Sequence, residues 1–82
     1  RMTFLAEIKI MPLKELLDSQ GKAVLGGLAN FGLLNIRDVR IGKHIQLTIE
    51  ANDAADANKI AEEASRKLLA NPVMEEFSIV IS

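Results

Sequence analysis

The run Asp38–Glu50, D-V-R-I-G-K-H-I-Q-L-T-I-E, sets an apolar residue at every second position on both sides of Gly42-Lys43-His44. Val39 and Ile41 come before the break; Ile45, Leu47 and Ile49 come after it. A period of two is that of a strand with one buried face, and two such runs about a glycine-containing break predict a β-hairpin. Parity sets the register. A two-residue loop at Gly42-Lys43 would place Ile41 opposite His44 and split the apolar sets between the two faces. A three-residue loop, Gly42 to His44, instead places Ile41 opposite Ile45 and Val39 opposite Leu47, with both sets on one face. The rest of the chain then has to cover that face.

Two further stretches alternate. Phe4, Ala6, Ile8 and Ile10 point one way in the first strand, which Pro12 ends because it cannot donate to a ladder. Phe77, Ile79 and Ile81 alternate in the last. Between them lie two helical patterns. Asp18 is a good N-cap for a helix with Val24, Leu25, Leu28 and Phe31 on its apolar side and Gly32 just past its end. Asn52 or Asp53 caps a second helix running to about Ala70, with Ala57, Ile60, Ala61, Ala64 and Leu68 as a narrow stripe. Glu62–Arg66 and Glu63–Lys67 are favourable i,i+4 pairs, and Asn71-Pro72 stops the helix. Leu13–Leu17 is a loop with room for one helical turn. The order β-α-β-β-α-β, with right-handed crossovers, predicts an α+β fold: a ferredoxin-like sandwich of a four-stranded antiparallel sheet with two helices on one face. All three phenylalanines fall on predicted core faces. The other sheet face is polar except for Leu5 and Val80.

Residues 1–82 make a single domain, small enough that only roughly 60–65% of the unfolded surface is buried, and self-association would help it. Leu5 and Val80 are the candidate contacts of a homodimer. A net charge of −1 gives no electrostatic reason to expect nucleic acid or an anionic membrane as partner. RNA-binding domains of similar architecture stack bases on exposed sheet aromatics, which the predicted faces do not offer. Without cysteine there is no thiol nucleophile or thiolate metal site, and a cytoplasmic location is expected. No apolar run reaches membrane-spanning length, and no signal-peptide pattern opens the sequence. His44, the lone histidine, is expected exposed at the hairpin tip. The serines have no recognisable activating partner, so no catalytic set, bound cofactor or metal is expected. On residues alone, the reading is a small interaction or regulatory domain, such as a free-standing module binding a small ligand between protomers.

Several runs together resemble one family. L-D-S-Q-G-K-A-V (Leu17–Val24), D-V-R-I-G-K (Asp38–Lys43), L-T-I-E (Leu47–Glu50) and K-L-L-A-N-P-V (Lys67–Val73) look like PurS, the small subunit of phosphoribosylformylglycinamidine synthase. The resemblance covers nearly the whole chain. Ser19 departs from the family's usual proline in L-D-P-Q-G, and serine suits the same first helical position after an Asp18 cap. The resemblance implies a dimeric accessory subunit that bridges a PurL-type synthetase and a PurQ-type glutaminase without doing chemistry itself. The assembly would amidate formylglycinamide ribonucleotide using glutamine, ATP and magnesium. Asp18, Gln20, Gly21, Arg40, Gly42 and Lys43 carry over as candidate structural or subunit-interface residues. Helix initiation accounts for Asp18 and Gly21 without any partner, and turn geometry accounts for Gly42.

Overall fold

In the computed structural model, which describes residues 1–82, the first alternating run becomes β1 (Met2–Pro12) and takes the middle of an antiparallel sheet. β2 (Lys43–Ala51) lies on one side and β3 (Glu75–Ile81) on the other. Ile8 is opposite Ile45 and Ile79, and Ile10 is opposite Lys43 and Phe77. The period-two pleat therefore puts Ala6, Ile8 and Ile10 on one face with the odd-numbered residues of both neighbours. These three side chains are wholly buried. The open face carries Leu5, Glu7, Lys9, Gln46, Thr48, Ser78 and Val80, as the alternation predicts.

Helix α2 (Ala54–Ala64) covers the buried face. Asp53 caps it, accepting from the Asp56 amide at 2.8 Å. Ala57 and Ala61 are completely buried, and their small side chains let the helix lie close on β1. The last turn, Ser65–Leu69, is π-helical, closed by the Ala70 amide donating to the Ser65 carbonyl at 2.9 Å. Ser65 is buried without loss because its hydroxyl donates to the Ala61 carbonyl at 2.8 Å. The wider turn shifts the inward face by one residue. Leu69 packs on the core, while Leu68, placed in the stripe by the sequence, is 84% exposed. Both expected i,i+4 ion pairs form, Glu62–Arg66 at 2.9 Å and Glu63–Lys67 at 2.7 Å.

The expected hairpin does not form. Asp38–Gly42 belongs to no strand, and Ile41 does not face Ile45. The reason is competition from β1, whose Ile10 and Lys9 pair with Lys43 and His44. With those two residues already in the ladder, only Gly42 is left of the three-residue loop. The chain enters β2 straight from Gly42, and the sheet has three strands where four were expected. His44 is accordingly a strand residue opposite Lys9 and not the tip of a turn.

Helix α1 (Ser19–Asn30) forms where its caps predict. Asp18 caps its start, and at its end Gly32 adopts φ 84°. The Leu33 amide reaches the Leu28 carbonyl at 3.1 Å and the Gly32 amide the Ala29 carbonyl at 2.9 Å, a Schellman ending. Yet α1 does not lie on the sheet; only α2 packs there. The molecule measures 52 × 24 × 14 Å with a radius of gyration of 16.3 Å, against about 12 Å for a compact domain of this length. Val24 is 40% and Phe31 86% exposed, so the apolar side of α1 is uncovered and Phe31 is not a core residue. The Leu13–Leu17 segment is a turn, with the Leu13 amide donating to the Met74 carbonyl at 2.9 Å.

These two findings about burial are separable by mutation. Ile8→Ala should cost about 2–5 kcal/mol in urea unfolding, as a large buried side chain lost from a packed core. Leu68→Ala should stay within about 0.5 kcal/mol of wild type. A comparable loss at both positions would contradict the shift of the inward face at Ser65.

Candidate functional site

Helix α1 and the following Phe31–Gly42 segment form an arm, anchored to the sheet at one place. The anchor is built around Asp18. Its Oδ1 accepts from the Gly21 amide at 2.9 Å, and its Oδ2 accepts from the Ile41 amide at 2.7 Å. One carboxylate therefore caps α1 and ties the returning segment of the arm to it. Gly21 is the only buried residue of α1, and a Cβ there would overlap the Val39 carbonyl oxygen. Gly42 lies equally close to β1, where a Cβ would overlap the Ile10 carbonyl oxygen and the Met11 sulfur. Neither glycine has a positive φ. Both are required by close approach of backbones; the turn expected at Gly42 is absent. Arg40 completes the anchor by donating from its guanidinium to the Pro12 carbonyl.

The amides of Gly21 and Ile41 hold the Asp18 carboxyl below its usual value of 3.8, with Arg40 adding to the effect and partial burial opposing it. Both carboxylate oxygens are engaged by amides, so Asp18 is placed to hold the arm and not to take a proton from a substrate. Gln20, on the first turn of α1, is exposed. Lys43 lies outside the anchor, at the start of β2, with its Nζ 3.7 Å from the Glu75 carboxylate and 3.4 Å from the Leu69 carbonyl oxygen. A groove of about 230 Å³ beside the anchor is lined by Lys14, Lys22, Asp38 and Arg40 among others. A larger one of about 580 Å³ runs between α2 and β3, where the Arg66 guanidinium sits 6.0 Å from the Phe77 ring.

The open sheet face carries the other candidates. Leu5 is 36% and Val80 55% exposed, and Glu7 lies opposite Val80. The Glu7 Oε1 is 3.5 Å from His44 Nε2 and 3.4 Å from Gln46 Nε2. Thus Asp18, Gly21, Arg40 and Gly42 come together, Gln20 and Lys43 stand apart from them, and Leu5 and Val80 are on another surface. Sequence reasoning missed Pro12 and Met11, whose roles rest on a carbonyl and on a close contact. The available signal was the pair of glycines bracketing the arm.

Loss of the anchor should show in acid. A carboxyl lowered on folding contributes stability above its unfolded value and loses it as pH falls through the folded one. Asp18→Asn should therefore be less stable than wild type at neutral pH, with the difference shrinking below pH 3.8, the ordinary value. Gly42→Ala should be destabilised at every pH. Urea midpoints at pH 7 and at pH 3 check both, and an Asp18→Asn deficit that persists undiminished in acid would exclude the carboxylate as its cause.

A family model described as PurS, phosphoribosylformylglycinamidine (FGAM) synthase, matches residues 5–82. The PurS subunit of phosphoribosylformylglycinamidine synthase from Bacillus subtilis is 46% identical over 66 residues, 79% of this chain and 77% of that protein. That of Mycobacterium leprae is 40% identical over 90% of both chains; that of Synechocystis is 42% identical over 80% of this chain but 66% of its own. Among solved structures, Bacillus subtilis PurS superposes with a TM-score of 0.87 at 34% identity, covering 96% of this chain and 98% of that one. A chain of PurLQS from Thermotoga maritima superposes with a TM-score of 0.92 at 28% identity over 100% of both. The chain belongs to the PurS family of phosphoribosylformylglycinamidine synthase.

Proposed function

We infer that this chain is the small accessory subunit of phosphoribosylformylglycinamidine synthase in purine biosynthesis, holding together a PurL synthetase and a PurQ glutaminase. The observation that carries this reading is the full-length superposition, at a TM-score of 0.92, on a chain of the PurLQS structure. A relative solved as part of PurLQS has the same elongated protomer, arm included, so the arm belongs to the shape that assembles. The assembly amidates formylglycinamide ribonucleotide at the expense of glutamine and ATP. In this reading ATP and magnesium are handled by the synthetase, in the cytoplasm, and the present chain contributes surfaces. No helix is long and apolar enough to cross a membrane.

The division of the surface follows from what each part offers. The anchor residues Asp18, Gly21, Arg40 and Gly42 set the direction of the arm, and Gln20 and Lys43 are exposed positions available to a larger subunit. The open face packs on a second protomer through Leu5 and Val80, the apolar residues among its charged and polar ones.

Added to separately purified PurL and PurQ, the chain should restore glutamine-dependent amidation that the two larger subunits lack without it. Unchanged rates on its addition, or failure to co-purify with them, would overturn the reading. For the open face, Leu5→Asp or Val80→Asp should lower the mass found by sedimentation equilibrium, because a carboxylate forced into a dry contact loses its hydration without gaining a partner. A mass equal to that of wild type would remove Leu5 and Val80 from the contact.

A further inference from the structure

We propose that the groove beside the anchor of the arm binds a small phosphorylated sugar, with Lys14, Lys22 and Arg40 taking the phosphate and Asp38 accepting from a sugar hydroxyl. The site is built from this chain alone, so it does not rest on the subunit assignment above.

Three stretches of chain make the groove, and they meet only because the arm folds back. Lys14 comes from the turn after β1, Lys22 from the first turn of α1, and Asp38 and Arg40 from the returning segment; all four line a volume of about 230 Å³. The Asp18 carboxylate fixes their spacing, since it holds the Gly21 amide on one side and the Ile41 amide on the other. Gathering like charges is unfavourable unless an opposite charge sits among them. For the two lysines the chain supplies none: its four ion pairs involve Lys43, His44, Arg66 and Lys67. Asp18 also lines the groove, but amides engage both of its oxygens. Arg40 spends one donor on the Pro12 carbonyl and keeps others. The groove therefore offers an excess of donors and positive charge at a place held rigid by the fold.

The lining decides which anion fits. A phosphate group has enough acceptor oxygens to take charge-assisted bonds from a guanidinium and two ammonium groups together, which a carboxylate does less well. Asp38 narrows the choice further. Its Oδ1 accepts from the Val39 amide at 3.0 Å, and its Oδ2 is left as an acceptor among donors. That oxygen repels the carboxylates of an acidic peptide, whereas a hydroxyl carried beside the phosphate donates to it. Leu16, Leu17 and Val39 offer apolar surface to the ring carbons. The groove, at about 230 Å³, is smaller than the roughly 300–1,000 Å³ of sites for drug-sized ligands. A phosphate and one sugar ring fill it, and anything larger extends into solvent. The groove of about 580 Å³ between α2 and β3 lacks this balance: it carries Glu62, Glu75 and Glu76, and its one cation, Arg66, is paired with Glu62.

The full-length chain, titrated with ribose 5-phosphate at constant ionic strength and followed by amide NMR, should show saturable shifts grouped around Lys14–Lys22 and Asp38–Ile41. Inorganic phosphate should bind more weakly, and ribose should cause no shift. Lys14 and Lys22 are exposed, so the double variant Lys14→Gln, Lys22→Gln should fold as wild type. It should bind about tenfold or more weakly, through loss of charge-assisted hydrogen bonds. Asp38→Asn should keep its affinity for inorganic phosphate while its preference for ribose 5-phosphate narrows. Arg66→Gln, altered in the other groove, should bind as wild type does. Shifts that follow ionic strength without saturating would overturn the proposal, as would undiminished affinity in the lysine variant or an unchanged preference in Asp38→Asn. Inorganic phosphate binding as tightly as ribose 5-phosphate would overturn it in favour of a free-phosphate site. Triglutamate binding as tightly would overturn it in favour of a contact for acidic protein segments.

Discussion

Everything in this fold hangs on β1 having no free edge. Its residues pair with β2 over Met2 to Ile10 and with β3 over Ala6 to Pro12, and its inward Ala6, Ile8 and Ile10 reach zero exposure. Both neighbouring strands take their register from it, and α2 can approach it because Ala57 and Ala61 present little more than backbone. The core is small, and much of its stability rests on a few side chains of one strand, with Ile8 and Ile10 the largest of them. The reach of β1 also decides what the remainder of the chain may do. By pairing with Lys43 and His44 it turns a would-be loop into strand and sends the preceding residues past the end of the sheet.

That competition marks the limit of what was legible beforehand. Period-two alternation gave the three strands and the sidedness of each, because the pleat leaves no freedom once one face is buried. Caps gave both helices nearly to the residue: Asp18 and Asp53 offer side-chain acceptors where the first amides are free, and Gly32 takes the positive φ that ends α1. The apolar side of α1 was also real, but periodicity reports which side of a helix is apolar and not what covers it. The hairpin failed for the same reason. Val39 and Ile41 do alternate with Ile45 and Leu47 in phase, yet phase cannot say which strand a run will pair with, and here β1 takes Lys43 and His44. The π turn escaped because a one-residue widening at Ser65 has no side-chain signal beyond a small polar residue able to bond four residues back.

The candidate site was legible in part. Asp18, Gly21, Arg40 and Gly42 were singled out from family runs that lie far apart in sequence, and they come together at one place. Their physical reasons differ from those sequence reasoning supplied. Gly42 makes no turn; it lets the returning segment of the arm lie against β1. Asp18 is a cap, but its second oxygen reaches an amide 23 residues away. Pro12 enters only through its carbonyl, the one polar backbone group that proline keeps. Such backbone roles leave almost no trace in side-chain chemistry, which is why the anchor reads from sequence as a set of unrelated positions.

The anchor also separates reach from stability. Because Asp18 joins the two ends of the arm, α1 and its return segment form a closed excursion whose length hardly enters the balance that holds the sheet together. Closure cost grows only with the logarithm of loop length, so a full extra helical turn would add on the order of 0.1–0.2 kcal/mol. Nothing in the sheet or α2 would need to change. A fold arranged in this way can vary how far its arm extends, and so how wide a gap it spans between larger neighbours, while its core remains as it is.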